Sequence, residues 1–279
     1  MSADPAPIRA SYDLATADYD YPAWDGLPSR AVVVCTHPRS GSTLFGEALY
    51  HAGGLGCPLE YFHAGFRPAF EARWGVHSTM DYLAAVRRHR TDTSGVLAVK
   101  LFWRDIQELA VELEPTRLGA LEAAAPDQVA PQTYRVLAEL LTDLFPNPDW
   151  VHLHRRDRVR QAVSATIAVQ TGRWRSIAGV EQSARGEPEY DPATIERLIG
   201  YSDFCHGHWR NLFAAIDAQP ISISYEEMIG DYDASIGRVF SRLGSTAAVS
   251  PVRMQRQADA ATESLVLRYL RERVGRVTP

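Results

Sequence analysis

The stretch from Val32 to Thr43 constrains this chain more than any other. Three successive valines, Val32, Val33 and Val34, favour a strand buried on both faces. After a small polar turn, Leu44, Phe45, Ala48, Leu49 and Ala52 recur on one side of a helix that Gly53 and Gly54 close. A turn of small residues between a strand and a helix N-terminus aims backbone N–H groups at one point, where the helix dipole also favours negative charge. Arg39, Ser40, Ser42 and Thr43 add side-chain donors around Gly41, so the stretch predicts a phosphate cradle. The triphosphate-binding pattern G-x-x-x-x-G-K-[ST] is not met. Its first glycine and its lysine are both missing here, so the magnesium-triphosphate machinery of a kinase or ATPase is not encoded in full.

The rest of the chain narrows the function class. With 29 basic and 34 acidic residues the net charge is −5, which argues against a surface that coats nucleic acid but tolerates a local basic pocket for one nucleotide. Cys35, Cys57 and Cys205 form no C-x-x-C pair, so neither a disulfide framework nor a zinc site is expected. Met1 to Ala10 lack the basic start and apolar core of a signal peptide, and no apolar run has the length of a membrane span. These features predict a cytoplasmic protein with no membrane insertion, no metal and no nucleic-acid partner. In outline, residues 1–30 read as an arm rich in aromatic and acidic side chains, and residues 31–279 as a single domain. The arm carries Tyr12, Tyr19, Tyr21 and Trp24 among Asp13, Asp18, Asp20 and Asp25. It either packs over the domain or a partner subunit, or contributes to the site of a polyhydroxylated ligand.

Three later segments carry chemistry. Glu60 follows the cradle helix beside Tyr61 and Phe62, which can desolvate it toward the pKa of a working base, and His63 competes for that role. Val96 to Trp103 reads as a strand interrupted by Lys100, which either faces an anion in the cleft or reaches solvent along its stem. Trp150 to His154 alternates like a strand and delivers Arg155 and Arg156 at its carboxyl end, where ligands bind in open α/β sheets. On the next helix Arg160 and Ser164 share a face suited to a phosphate monoester. Residues 171–191 read as a long binding loop or lid, 220–225 as a fourth short strand, and the C-terminal region as a basic helix.

In order and spacing these segments resemble the bacterial trehalose 2-sulfotransferase family from about Val32 to Tyr269. The blocks that carry the resemblance are Pro38 to Leu44, Glu60-Tyr61-Phe62, Lys100 to Trp103, His154-Arg155 with Asp157, Gln161 to Ser164, Val169 to Thr171, Trp174-Arg175, Trp209-Arg210, Tyr225, and Arg256 to Asp259. The resemblance implies a P-loop-like sulfotransferase fold, α/β, with a central mostly parallel sheet flanked by helices. It implies 3′-phosphoadenosine 5′-phosphosulfate as co-substrate, an O-sulfotransferase acting on a carbohydrate or other small-molecule or glycolipid hydroxyl, and a homodimer. Carried onto this sequence, Arg39, Ser40, Gly41, Ser42 and Thr43 hold the 5′-phosphosulfate, Arg155 and Ser164 the 3′-phosphate, Tyr225 lies near the adenine, Arg256 belongs to the donor site, and Glu60 is the general base. Arg156 stands where relatives commonly have proline and competes with Arg155. The alternatives are a nucleotide or small-molecule kinase with a degenerate P-loop, and a non-catalytic protein that binds 3′-phosphoadenosine nucleotides.

Overall fold

The computed structural model describes residues 16–174, 186–252 and 260–277. Four strands, β1 (Arg30–Thr36), β2 (Val96–Phe102), β3 (Pro148–His154) and β4 (Ile221–Ser224), form one sheet in the order β2-β1-β3-β4. Every pairing is parallel. Parallel strands need crossover connections, which the helices before β4 supply, and further helices follow it. They are α1 (Ser42–Ala52), α2 (Arg67–Trp74), α3 (Thr79–Arg90), α4 (Trp103–Leu113), α5 (Pro115–Leu118), α6 (Pro131–Leu144), α7 (Arg158–Thr171), α8 (Pro192–Ala215), α9 (Tyr225–Gly230), α10 (Tyr232–Arg242) and α11 (Ala260–Val277).

The described residues divide into two compact units, one of residues 16–158 and 200–250, the other of residues 159–174, 186–199, 251–252 and 260–277. The first holds the whole sheet. Its core sets Val32, Val34, Val151, Leu153 and Ile223 of the strands against Phe45 and Leu49 of α1 and Ile236, Val239 and Phe240 of α10. The run of valines predicts a doubly buried strand, and Ala31 to Cys35 are indeed buried without a break. In the second unit Ala162 and Val163 of α7, Ile195 of α8, and Val266 and Tyr269 of α11 form a smaller cluster.

Three local expectations change. Trp103 opens α4 instead of ending β2, and Asp105 accepts from the Phe102 N–H at 3.3 Å to hold that start. Tyr225 opens α9 instead of ending β4, because Ser224 and Glu227 form a capping box in which each side chain accepts from the other residue's amide. The third is α3, over a stretch for which the sequence reading names no element. Its Ser78 cap accepts from the Asp81 N–H, and its last residue, Arg90, is fully buried.

Within residues 16–25 the arm packs on the larger unit. Tyr21 and Trp24 donate their amides to the carbonyls of His89 and Arg88, and Arg73 donates to the Thr16 carbonyl. Asp20 bridges Arg73 and Arg90. The Arg90 guanidinium lies within 5.9 Å of the ring centres of Tyr19, Tyr61, Phe70 and Trp74, an aromatic cage around a buried cation. Tyr12 and Asp13 lie outside the described residues.

Candidate active site

The site is built at the carboxyl end of the sheet. After β1 the chain turns through Arg39 and Gly41, both in the left-handed region at φ 66° and 78°. Glycine is the default residue there, and a non-glycine at positive φ is uncommon. A Cβ on Gly41 would sit 2.7 Å from the Tyr225 ring and 2.9 Å from the Met228 side chain, so its absence also lets α9 close onto the turn. Ser40 is fully buried, while Ser42 and Thr43 are the first two residues of α1. The strand-turn-helix expected from Val32 to Thr43 is therefore formed.

From the neighbouring strand β3, Arg155 reaches this turn and donates from Nη1 to the Arg39 carbonyl at 3.3 Å. Its guanidinium lies 4.6 Å from the centre of the Tyr225 ring. Arg39, Gly41, Arg155 and Tyr225 thus form one cluster. Burial first, and then the charge of Arg155, push the Arg39 pKa down to about 10. A buried Arg155 and a half-buried Arg39 beside a turn of small residues fit a bound anion. Arg156 points away: its side chain is 64% exposed and lies 3.7 Å from Glu226. Arg155, not Arg156, is the residue at the turn.

Glu226 is a residue that the sequence reading misses. Its carboxylate accepts the amides of Arg156 and Asp157 at 3.0 and 3.1 Å, pinning the turn that carries Arg155. These backbone bonds hold its pKa below the usual range, with help from Arg155 and against the opposing effect of burial. Adjacency to Tyr225 is the only sequence signal for it.

Glu60 lies on the other side of β1's neighbour, β2. Leu59 forms a parallel bridge with Val99 and accepts from the Lys100 amide at 3.0 Å, which sets Glu60 beside the Lys100 side chain. Lys100 Nζ is 2.8 Å from Glu60 Oε1, and both side chains are buried. Of the two expectations for Lys100, the inward one holds, and its anion is an internal carboxylate. His63, the competing base, accepts from the Gly65 amide on Nδ1 at 3.0 Å and packs its ring against Phe66 and Phe102. Asp105 lies near Glu60. Burial above all, with the charge of Glu60 among the lesser causes, pushes its pKa up to about 7.

Beneath the turn, His37, His152 and His206 form a second unexpected cluster. His152 Nε2 and His206 Nδ1 are 3.1 Å apart, and the His37 ring centre lies 6.0 Å from that of His206. Burial holds their pKa values down to about 4, 3 and 2, so they are neutral packing groups at pH 7. Among the described residues no group of three or more His, Cys, Asp or Glu is arranged to hold a metal ion.

Ser164 belongs to α7 in the smaller unit, where its helical neighbour Arg160 pairs in two places with Glu263 of α11, at 3.1 and 2.8 Å. Arg256 lies outside the described residues, as does most of the expected loop between Thr171 and Asp191.

A four-stranded parallel α/β sheet whose first strand feeds an arginine-bearing turn of small residues at a helix N-terminus fits a protein that handles phosphoryl or sulfuryl groups. The chain belongs to the Stf0 sulphotransferase family, whose model matches residues 31–272, and it is a sulfotransferase. It is similar to the trehalose 2-sulfotransferase of Mycobacterium tuberculosis, strain Erdman, at 29% identity over 88% of this chain and 97% of that protein. It is also similar to the trehalose 2-sulfotransferase of Mycolicibacterium smegmatis, at 27% identity over 87% of this chain and 95% of the relative. No described helix is long and apolar enough to cross a membrane.

Proposed function

We propose that this sulfotransferase moves the sulfuryl group of 3′-phosphoadenosine 5′-phosphosulfate to a hydroxyl of a carbohydrate, with trehalose the first acceptor to try. The observation that carries the donor is the meeting of Arg155 with Arg39 at the positive-φ turn. Two separate anionic groups on one nucleotide suit two such guanidinium groups better than one phosphate does. The trehalose 2-sulfotransferases named above support the acceptor.

In this reading the turn from Arg39 to Thr43 binds the 5′-phosphosulfate, and Arg155 and Ser164 take the 3′-phosphate. Tyr225 lines the nucleoside end, and Arg256 completes the donor site. The acceptor oxygen attacks sulfur as the bond from sulfur to the phosphate oxygen breaks. Glu60 accepts the hydroxyl proton, and Arg39 meets the charge that develops on the departing phosphate oxygen. Most of the acceleration comes from positioning and electrostatics, as in phosphoryl transfer.

We take residues 31–279 to serve this one activity, with residues 1–30 as an arm, in a homodimer. A reducing, cytoplasmic setting suits three buried free cysteines. The test is incubation with the labelled sulfate donor and a panel of sugars led by trehalose, read by mass spectrometry for the gain of one sulfate. Phosphate transfer from ATP with magnesium, and none of sulfate, would favour the kinase. Tight binding of the bisphosphate nucleotide without any transfer would favour the non-catalytic reading.

A further inference from the structure

Lys100 and Glu60 form a buried ion pair beside the sheet. Lys100 sits two residues before the end of β2, paired in register with Val34 of the central strand, and its neighbours Val99 and Leu101 are fully buried. Taking two charges out of water is costly, and an apolar pair of similar volume often stabilises a core as well or better. Nor is the pair needed to hold the loop. The backbone from Cys57 to Phe62 is already fixed by the bond from the Lys100 amide to Leu59, by Tyr61 Oη donating to the Cys57 carbonyl at 2.6 Å, and by Tyr82 Oη donating to the Tyr61 carbonyl at 2.5 Å. What the ammonium adds at 2.8 Å is control of the carboxylate's charge and orientation.

We propose that Lys100 is a positioning residue for the sulfuryl transfer, holding the Glu60 carboxylate ionised and aimed although it is buried. The inference rests on the reading of Glu60 as the base. Burial alone favours the protonated acid, and a cation in contact opposes that. Lys100 of β2 and Asp105 of α4 are charged groups that face Glu60, with Arg104 and Glu108 acting on Asp105 from its own helix. Asp105 opposes Lys100, since a second negative charge favours protonation, but the ammonium is in contact. The pair also acts after transfer. When Glu60 has taken the hydroxyl proton it is neutral, and the buried ammonium loses its compensation. The proton is therefore released to solvent and the base returns to its ionised form for the next turnover.

The test uses the full chain in three forms, wild type, Lys100→Met and Lys100→Arg, with the phosphosulfate donor and trehalose as acceptor. The acid limb of kcat/KM against pH reports the free enzyme's base. Removing the ammonium should move that limb up by about one pH unit or more, a roughly ten-fold loss of kcat/KM at a pH on the limb. Arg should restore the wild-type limb, and affinity for 3′-phosphoadenosine 5′-phosphate should stay within about two-fold in all three. If Lys100→Met does not fold, Lys100→Gln, which keeps a donor without the charge, takes its place with the same expected limb. An unmoved limb in a folded variant without the ammonium overturns the proposal. A second readout needs no acceptor: the carboxylate infrared band isolated as wild type minus Glu60→Gln, followed through a pH titration. It should titrate at higher pH once the ammonium is gone, and an unchanged titration also overturns the proposal. Full turnover by Glu60→Gln instead removes the base reading itself, whatever the infrared titration gives.

Discussion

Two regions of the larger unit handle charge in opposite ways. At the turn after β1 Arg155 reaches Arg39, and burial first, then the charge of Arg155, pushes the Arg39 pKa down to about 10. Around Glu60 and the arm, each named cation meets a carboxylate: Lys100 meets Glu60, and Arg73 and Arg90 meet Asp20. In the proposed reading the first arrangement offers its N–H donors to the anionic groups of the sulfate donor. In the second the named charges meet inside the protein. There the expected effects fall on stability and on the state of Glu60, with little effect on donor affinity.

Four outcomes break or sharpen this contrast. The largest expected effect is in Glu60→Gln, where kcat should fall by about 10²- to 10⁴-fold, the usual share of a general base, while nucleotide affinity by calorimetry stays within about two-fold. Next, Gly41→Ala should weaken nucleotide binding by about ten-fold or more. Its backbone is at positive φ, and the new Cβ collides with Tyr225 and Met228. Unchanged affinity there would show that the turn does not hold the donor.

Asp20→Asn should act on stability alone, by about 3 kcal/mol in urea unfolding, because Arg90 is fully buried and would lose its countercharge. Its partial exposure keeps the expected figure at the low end of the range for buried pairs. A change in nucleotide affinity as large as the change in stability would erase the distinction between the two regions.

The smallest effect at neutral pH comes from the histidines. Their folded-state pKa values of about 4, 3 and 2 lie below the ordinary 6.5. Between those values the unfolded chain binds more protons, so stability is intact above about pH 6.5 and is lost as pH falls toward 4. Asp105, raised to about 7, acts in the reverse sense, its contribution declining as pH rises from 3.8. Three imidazoles outweigh one carboxyl, so melting temperature should drop between pH 6.5 and 4. His37→Asn should flatten that drop, and an equally steep curve in the variant would remove His37 from the cause.

What the sequence made legible was whatever depends on local period and turn chemistry. The valine run, the polar turn and the helix after it carry their own signals within about twenty residues, and the structure has β1, the turn and α1 where they were expected. Two boundaries were readable in principle but misjudged. Tyr225 looks like strand until the Ser224 and Glu227 spacing is seen as a cap, and Trp103 looks like strand until Asp105 is. The place of Arg155 on the same cleft as Arg39 was legible from the carboxyl end of its strand, but the pairing of Glu60 with Lys100 was not, because it is made through sheet register. Glu60 and Lys100 are forty residues apart and come together through the bridge of Leu59 to Val99. Arg155 meets Arg39 because β3 lies beside β1. Arg90 was hidden for another reason. Nothing in the sequence Arg87, Arg88, His89, Arg90 marks one of these residues as core, and only the packing of Tyr19, Tyr61, Phe70 and Trp74 around Arg90 does.

The most direct measurement is transfer itself. Purified protein, 3′-phosphoadenosine 5′-phosphosulfate carrying labelled sulfate, and trehalose should give a sugar heavier by one sulfate, with Glu60→Gln giving it at least about a hundred-fold more slowly while still binding nucleotide. Sulfated sugar at the wild-type rate from Glu60→Gln, or transfer of phosphate from ATP with no transfer of sulfate to any sugar, would contradict the roles assigned to the two regions.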